Sequence, residues 1–461
     1  MRKYFGTDGI RGRVGTPTIS ADFAVRLGRA AGTVLGLGHE RPLVLIGKDT
    51  RISGYMFESA IEAGLSAAGA DVLLLGPMPT PAVAYLTRVL GAQAGVVISA
   101  SHNPYPDNGI KFFSATGEKL PDEVELAIEA ELELPFRTVD ADRLGKARRL
   151  EDGGRQYLDY CLGTLTAPLP ALAGQRVIVD CAHGAGYKLA PALLAELGCE
   201  VETIGSNPDG FNINEGCGAT APDALIERVL ERQAALGIAL DGDGDRLIMV
   251  SASGRLVDGD DVIYLLARDW QRRGLLRGPV VGTLMTNFGI EQALGQSGIG
   301  FERAPVGDRY VLERMKRHGA NLGGEASGHV LCLDRASTGD ALVTALAALE
   351  ALDGHCDELD AALDELRRLP QQTINVPLQG KPMALLSAPV LERLRAEAEA
   401  ALAGRGRIVL RPSGTEPLLR VTVEGPDAGE VRHWAERLAA QVHTLDAASH
   451  APPADLLHPT A

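Results

Sequence analysis

Residues 43–75 read LVLIGKDTRISGYMFESAIEAGLSAAGADVLLL. Leu43-Val-Leu-Ile46 is an apolar run of strand length, and Gly47-Lys48-Asp49-Thr50-Arg51 is the polar turn that ends it. A helix is predicted over residues 55–68 and a second strand over 71–75. Strand, polar turn, helix, strand is the βαβ rhythm of an α/β domain. Upstream, Asp22 is the predicted N-cap of a helix over 23–35. Downstream, Val96-Val97-Ile98 is a β-branched strand, and Pro121-Asp122 opens a helix ending near residue 132. The pattern restarts with a strand at 176–180, the turn Cys-Ala-His-Gly-Ala-Gly and a helix over 187–197. It restarts again with a strand at 279–285, the turn Thr286-Asn287-Phe288-Gly289 and a helix. Three units of like order predict three related α/β domains, although their sequences do not align as repeats. After Leu369 the composition changes to a smaller α+β segment. It has a strand at 372–376, a helix at 389–403, two strands flanking 411–420 and a last helix at 428–445. The predicted division is 1–150, 151–252, 253–368 and 369–446, with a Pro/Ala/His-rich tail at 447–461.

A chain of 461 residues is too long for one hydrophobic core. Its 45% hydrophobic and 23% charged residues are those of a folded globular protein. No apolar run reaches the roughly eighteen residues of a membrane span, and the N-terminus shows no signal-peptide pattern. The cysteines at 161, 181, 199, 217, 332 and 356 never form C-x-x-C, which predicts neither zinc site nor disulfides and fits a reducing cytoplasm. A net charge of −15 argues against a nucleic-acid partner. It leaves room for an anionic small substrate if cations gather locally in a cleft.

Four loops carry the chemistry. The first, Ser99-Ala-Ser-His-Asn-Pro104, follows the Val96–Ile98 run and sets a hydroxyl (Ser101), an imidazole (His102) and an amide (Asn103) side by side, with Lys111 just beyond. Turns recruit such residues anyway, so an ordinary surface connection competes with a catalytic one. The second, Asp241-Gly-Asp-Gly-Asp-Arg246, lies between two predicted strands. Three carboxylates spaced by glycine can converge on one hard cation, Mg²⁺ or Ca²⁺, and the adjacent guanidinium suits a phosphate. An EF-hand is excluded, because its sixth position here is Arg246 and its twelfth is Ala252. The third, Gly323-Gly-Glu-Ala-Ser-Gly-His329, brackets Glu325, Ser327 and His329 with glycines, a mix of donors and acceptors that suits a hydroxyl-rich ligand. The fourth, Arg411-Pro-Ser-Gly-Thr-Glu-Pro-Leu-Leu-Arg420, offers Arg411, Ser413, Thr415 and the N–H groups around Gly414 as an anion nest, or else is a plain hairpin turn. Neither G-x-x-x-x-G-K-[ST] nor G-x-S-x-G occurs, which excludes a P-loop NTPase and weakens an α/β-hydrolase reading. Near the N-terminus, Phe5-Gly-Thr-Asp-Gly-Ile-Arg-Gly12 delivers Arg11 at the end of a glycine-punctuated loop.

Together and in this order, the four loops resemble the signatures of the α-D-phosphohexomutase superfamily across nearly the whole chain. The 5–12 loop and Val306-Gly-Asp-Arg-Tyr310 are similar to its bacterial branch acting on glucosamine phosphate, whereas phosphomannomutase and phosphoglucomutase relatives differ at one or both places. Ala326 departs from the larger polar residue frequent in that branch, which bears on the sugar contacts. The resemblance implies three α/β domains with mixed sheets and a C-terminal α+β, TATA-binding-protein-like domain around a central cleft. It implies a phosphoserine at Ser101, one Mg²⁺ held by Asp241, Asp243, Asp245 and that phosphoserine, and isomerisation through a 1,6-bisphosphate. Arg11, Lys111 and Arg246 then surround the reacting phosphate, His102 is a further catalytic residue of the Ser101 loop, and Lys111 and His329 move the proton. Asp308, Arg309, Glu325 and Ser327 bind the sugar, while Arg411, Ser413, Gly414, Thr415 and Arg420 hold the other phosphate. The same resemblance implies a hexosamine or hexose 1,6-bisphosphate activator and a first phosphorylation of Ser101 by a kinase or by self-phosphorylation. It leaves monomer and homodimer open. A metal-dependent sugar-phosphate phosphatase is the competing chemistry.

Overall fold

The computed structural model describes residues 2–379, 385–413 and 417–450. They fall into two compact units, Met1–Met285 with Ser297–Asp364, and Thr286–Gln296 with the chain from Glu365 onward.

The first unit contains three mixed sheets. Strands β1 (Ile10–Arg13), β2 (Leu43–Lys48), β3 (Asp71–Pro77), β4 (Ala94–Ile98), β5 (Asp107–Ser114) and β6 (Ala147–Arg149) lie in the order β1-β5-β4-β2-β3-β6. Strands β7 (Arg176–Asp180), β8 (Glu200–Ile204), β9 (Leu236–Leu240), β10 (Leu247–Ser251) and β11 (Leu256–Val257) lie in the order β11-β10-β9-β7-β8. Strands β12 (Val280–Thr283), β13 (Phe301–Ala304), β14 (Leu322–Gly324) and β15 (Val330–Cys332) lie in the order β13-β12-β14-β15.

Each sheet has a parallel centre, β2 with β3 and β4, β7 with β8 and β9, β12 with β13 and β14. Each also carries an antiparallel hairpin beside that centre, β4–β5, β9–β10 and β14–β15, and β1 and β11 add a further antiparallel edge to the first two sheets. Parallel strands covered on both faces read as unbroken apolar runs, which is why Ala94–Ile98 and Leu236–Leu240 are buried throughout. In β5 the period of two sends Ile110 and Phe112 into a core with Phe5, Ile10 and Phe23, and turns Lys111 to the other face. Against this sheet the helices Ala21–Leu35 and Ile52–Ala67 pack nearly backbone to backbone. A Cβ on Gly64 would sit 2.2 Å from the Val25 carbonyl oxygen, so only glycine permits that approach.

In the second unit, β16 (Gln371–Pro377), β17 (Arg407–Pro412) and β18 (Leu418–Glu424) form an antiparallel sheet ordered β16-β18-β17. The helices Pro389–Leu402 and Ala428–His450 contribute to its core with Leu391, Ala398, Trp434 and Leu438.

Local differences from the sequence reading have physical causes. Ser20, not Asp22, is the N-cap: its backbone is extended, its Oγ accepts the Phe23 N–H at 3.4 Å, and its own hydroxyl donates to Asp22. The helix expected from residue 55 begins at Ile52, because Gly54 is accommodated inside its first turn. The helix expected over 187–197 is shorter, Leu189–Glu196. The last helix reaches His450 rather than stopping at 445, so the first residues assigned to the tail are helical, and 451–461 lie outside the described residues.

Candidate active site

Three of the motif loops are the turns of the antiparallel hairpins that follow each parallel centre. Ile98 pairs with Ile110 around the Ser101 turn, Leu240 with Leu247 around the aspartate turn, and Gly324 with Val330 around the Glu325–His329 turn. The first two turns meet directly. The buried Ser101 hydroxyl donates to Asp241 Oδ2 at 2.5 Å. Ser101 has φ +51°, the left-handed region that costs an L-residue about 1–2 kcal/mol. The neighbouring His102 Nδ1 lies 3.4 Å from Ser101 Oγ. Burial, then Arg246 and Arg11, push the His102 pKa down to about 4, which leaves its imidazole neutral at pH 7.

Asp241, Asp243 and Asp245 are buried, and one carboxylate oxygen from each lies within 4.8 Å of the others. Burial, then Asp245 and Asp243, holds the Asp241 carboxyl well above the usual range. Asp243 is held low in spite of its burial, chiefly by Lys111, whose Nζ donates to its Oδ2 at 2.8 Å; the Thr80 hydroxyl donates to the same oxygen at 2.7 Å. Asp243 Oδ1 and Asp245 Oδ1 are buried and accept no hydrogen bond. Three converging carboxylates, two of them with an unsatisfied buried oxygen, suit a hard divalent cation such as Mg²⁺.

Cations ring this centre. Burial disfavours the charge on Lys111, but Asp243 and Asp8 outweigh it and raise its pKa. Arg246 Nε lies 3.9 Å from Asp241 and 3.8 Å from Asp245. Arg11 pairs with Asp8, and Asp8 in turn meets Lys119 at 2.5 Å and Lys111 at 3.3 Å. Lys119 also donates to Asp308 at 2.6 Å, so one ammonium joins the start of the chain to the third domain's helix Asp308–His318. His329 Nδ1 is 3.5 Å from Asp245 and its Nε2 is 3.6 Å from Asp308. Burial opposes its charge, yet Asp245, Asp308 and Glu325 push its pKa up to about 9. Glu325 accepts the Gly307 N–H at 3.0 Å.

The structure thus gathers Arg11, Ser101, His102, Lys111, Asp241, Asp243, Asp245, Arg246, Asp308 and His329, with Glu325 beside them. Arg309 points elsewhere: its guanidinium donates to Asp122, Glu125 and the Leu120 carbonyl. Ser327 is exposed on its turn. In the second unit Arg411 and Arg420 are direct register partners across β17 and β18, next to Ser413. Burial and the Arg420 charge lower the Arg411 pKa. Gly414 and Thr415 lie outside the described residues. Sequence reading passed over Asp8, Lys119, Thr80, Arg51 and Asn214. Asp8 stood in the quoted glycine loop, but no local signal tied the other four to the site.

Family models for the phosphoglucomutase/phosphomannomutase α/β/α domains I, II and III and the C-terminal domain match residues 2–135, 155–254, 258–369 and 360–441. A phosphoglucosamine mutase from Xanthomonas campestris is 59% identical over 96% of this chain and 98% of its own. One from Xylella fastidiosa is 58% identical over 95% and 98%. This chain belongs to the phosphoglucosamine mutase family. It is therefore an isomerase of the phosphohexomutase kind, with three α/β/α domains followed by a distinct C-terminal domain. The crystal structure of a phosphoglucomutase/phosphomannomutase family protein from Burkholderia thailandensis matches with a TM-score of 0.79 at 25% identity, covering 96% of this chain and 98% of that one. An Aspergillus fumigatus N-acetylphosphoglucosamine mutase, solved with GlcNAc-6P and magnesium, shares the fold at 18% identity and a TM-score of 0.64, over 97% and 96%. Among the described residues no helix is long and apolar enough to cross a membrane.

Proposed function

We propose that this family member interconverts glucosamine 6-phosphate and glucosamine 1-phosphate, with Ser101 carrying the phosphoryl group. The observation behind this reading is the Ser101 hydroxyl directed at Asp241 in a buried three-carboxylate cluster ringed by Lys111, Arg246 and Arg11. Phosphoryl transfer is mostly positioning and electrostatic stabilisation, so such a site needs fixed cations more than a strong base.

Phospho-Ser101 meets the free 1-hydroxyl of glucosamine 6-phosphate. The serine Oγ–P bond breaks and a sugar O1–P bond forms; Lys111 or His329, both held protonated by neighbouring carboxylates, gives a proton to the departing Ser101 Oγ and takes the hydroxyl proton in its place. The resulting 1,6-bisphosphate turns end for end. Its 6-phosphoryl group returns to Ser101, the proton returns to O6, and glucosamine 1-phosphate departs. Asp241, Asp243, Asp245 and the phosphoserine would hold Mg²⁺, which would supply positive charge against the transferring group. Arg11 and Arg246 orient that group, and neutral His102 contributes a hydrogen bond beside Ser101. Asp308, Glu325, Ser327 and, after a local rearrangement, Arg309 grip the sugar. Arg411, Ser413, Gly414, Thr415 and Arg420 hold the phosphate that is not reacting. A 1,6-bisphosphate, a kinase or self-phosphorylation loads Ser101 the first time. The six buried, unbridged cysteines accord with a cytoplasmic enzyme.

The test compares kcat/KM for glucosamine 6-phosphate, glucose 1-phosphate and mannose 1-phosphate with Mg²⁺ and catalytic hexose 1,6-bisphosphate. Preference for glucosamine 6-phosphate is expected. Preference for a hexose phosphate would move the chain to a sister specificity, and stoichiometric release of inorganic phosphate would replace mutase chemistry by hydrolysis.

A further inference from the structure

The left-handed backbone of Ser101 persists only if its surroundings over-determine it. Two donors outside the loop do this. Arg51, with no exposed surface, donates from Nη2 to the carbonyls of Ser101 (2.9 Å) and Asn103 (2.7 Å), and from Nη1 to that of Pro104 (2.6 Å). Its Nε donates to Asp49 Oδ2 at 2.8 Å. That oxygen also accepts the Ser99 hydroxyl at 2.6 Å, and Ser99 Oγ accepts the Ser101 N–H at 2.9 Å. The hydrogen bonds therefore close a ring, Arg51–Asp49–Ser99–Ser101–Arg51. The second donor comes from the neighbouring domain. Asn214 Nδ2 donates to the Ser101 carbonyl at 2.9 Å and the Asn103 carbonyl at 3.0 Å, while the Asn214 N–H is anchored to the Ala182 carbonyl. Both lone pairs of the Ser101 carbonyl are taken. The aspartate turn abuts the same point, since a Cβ on Gly242 would lie 2.6 Å from that oxygen.

We propose that Arg51 and Asn214 are positioning residues that lock the Ser101 backbone so that Oγ stays in line with the metal cluster. Asn214 ties that alignment to the second domain. The proposal rests on the reading of Ser101 as phosphoryl carrier. Neither residue is needed to bind sugar or metal, so the step they control is transfer itself.

The test uses the full-length enzyme with Mg²⁺ and substitutes Asn214→Asp, Asn214→Ala and Arg51→Lys. Aspartate has the size of asparagine but no donor, and lysine keeps the charge opposite Asp49 but cannot span three carbonyls. Arg51→Ala is avoided because it strands the buried Asp49 charge. Because a misplacement of about 1 Å costs on the order of 10²-fold, kcat should fall roughly tenfold in both Asn214 variants and up to about 10²-fold in Arg51→Lys. KM for glucosamine 6-phosphate and the Mg²⁺ activation constant should stay within about twofold, the range of an interaction that acts only in the transition state. Inorganic phosphate released per turnover should rise, since misaligned phosphoserine loses transfer to the sugar before it loses hydrolysis. Wild-type kcat in all three variants, or a loss explained wholly by lowered Tm or raised KM, would overturn the proposal. If the wild-type enzyme never carries phosphate on Ser101, the functional reading fails instead, a result told apart by intact-mass measurement of the unmodified sequence.

Discussion

The β4–β5 and β17–β18 hairpins both join antiparallel strands, yet their charges are arranged oppositely. Around Ser101 opposite charges alternate: Arg11 with Asp8, Asp8 with Lys119, Lys119 with Asp308, Lys111 with Asp243. In the β4–β5 turn the Ser101 and Asn103 carbonyls, the Ser99 hydroxyl, and the Ser101 N–H and hydroxyl all have partners. On β17 and β18 two arginines, Arg411 and Arg420, face each other in register, and the Arg420 charge disfavours that of Arg411. Like charges directly opposite on paired strands are destabilising. Such a pair makes sense where an anion is expected between them. On the proposed function, the contrast separates two tasks. Breaking a P–O bond demands over-determined geometry, whereas holding a phosphate demands charge and tolerates looser placement.

Substitutions can break or sharpen that contrast. Ser101→Ala removes the acceptor of the phosphoryl group and should lower kcat by roughly 10⁴-fold or more while the protein stays folded, as removal of a nucleophile does elsewhere. A coupled mutase assay and a thermal melt check both halves. Asp243→Asn takes one carboxylate from the cluster and the partner from Lys111; kcat should fall on the order of 10²-fold and the Mg²⁺ requirement should rise, read from a metal titration. Arg411→Ala should act on the other side of the contrast, raising KM about 10- to 100-fold with a smaller change in kcat, since a charged hydrogen bond contributes about 1.5–3 kcal/mol. A pure kcat effect there would erase the proposed division of tasks. Thr80→Ala removes one hydroxyl donated to Asp243 at 2.7 Å, and kcat should fall only about fivefold, the value of one ordinary hydrogen bond of about 1 kcal/mol.

Much of this was legible in the chain. Apolar runs ending in glycine turns announced the three α/β domains, and Asp241-Gly-Asp-Gly-Asp245 announced converging carboxylates, which the structure brings within reach of one cation. What stayed hidden was long-range. Lys119 stands in an unremarkable Gly-Glu-Lys turn, and only the fold brings it between Asp8 and Asp308. Arg51 reads as the end of a polar turn, and Asn214 as one more loop asparagine, until both converge on the Ser101 carbonyl. Periodicity carries no information about such meetings. Helix ends were uncertain for a different reason: Ser20 and Asp22 are both good caps, and their mutual hydrogen bond decides which one takes the role. The helix read from residue 55 begins at Ile52, with Gly54 inside its first turn.

The central claim, that the Ser101 turn carries the phosphoryl group, is tested most directly by a chase. The enzyme is loaded with radiolabelled hexose 1,6-bisphosphate and Mg²⁺, freed of excess label, mixed rapidly with unlabelled glucosamine 6-phosphate, and quenched. The account predicts label on the peptide containing Ser101, leaving at a rate no slower than kcat and appearing in glucosamine bisphosphate and then glucosamine 1-phosphate. Label that never reaches Ser101, or that leaves it only as inorganic phosphate, would contradict the account.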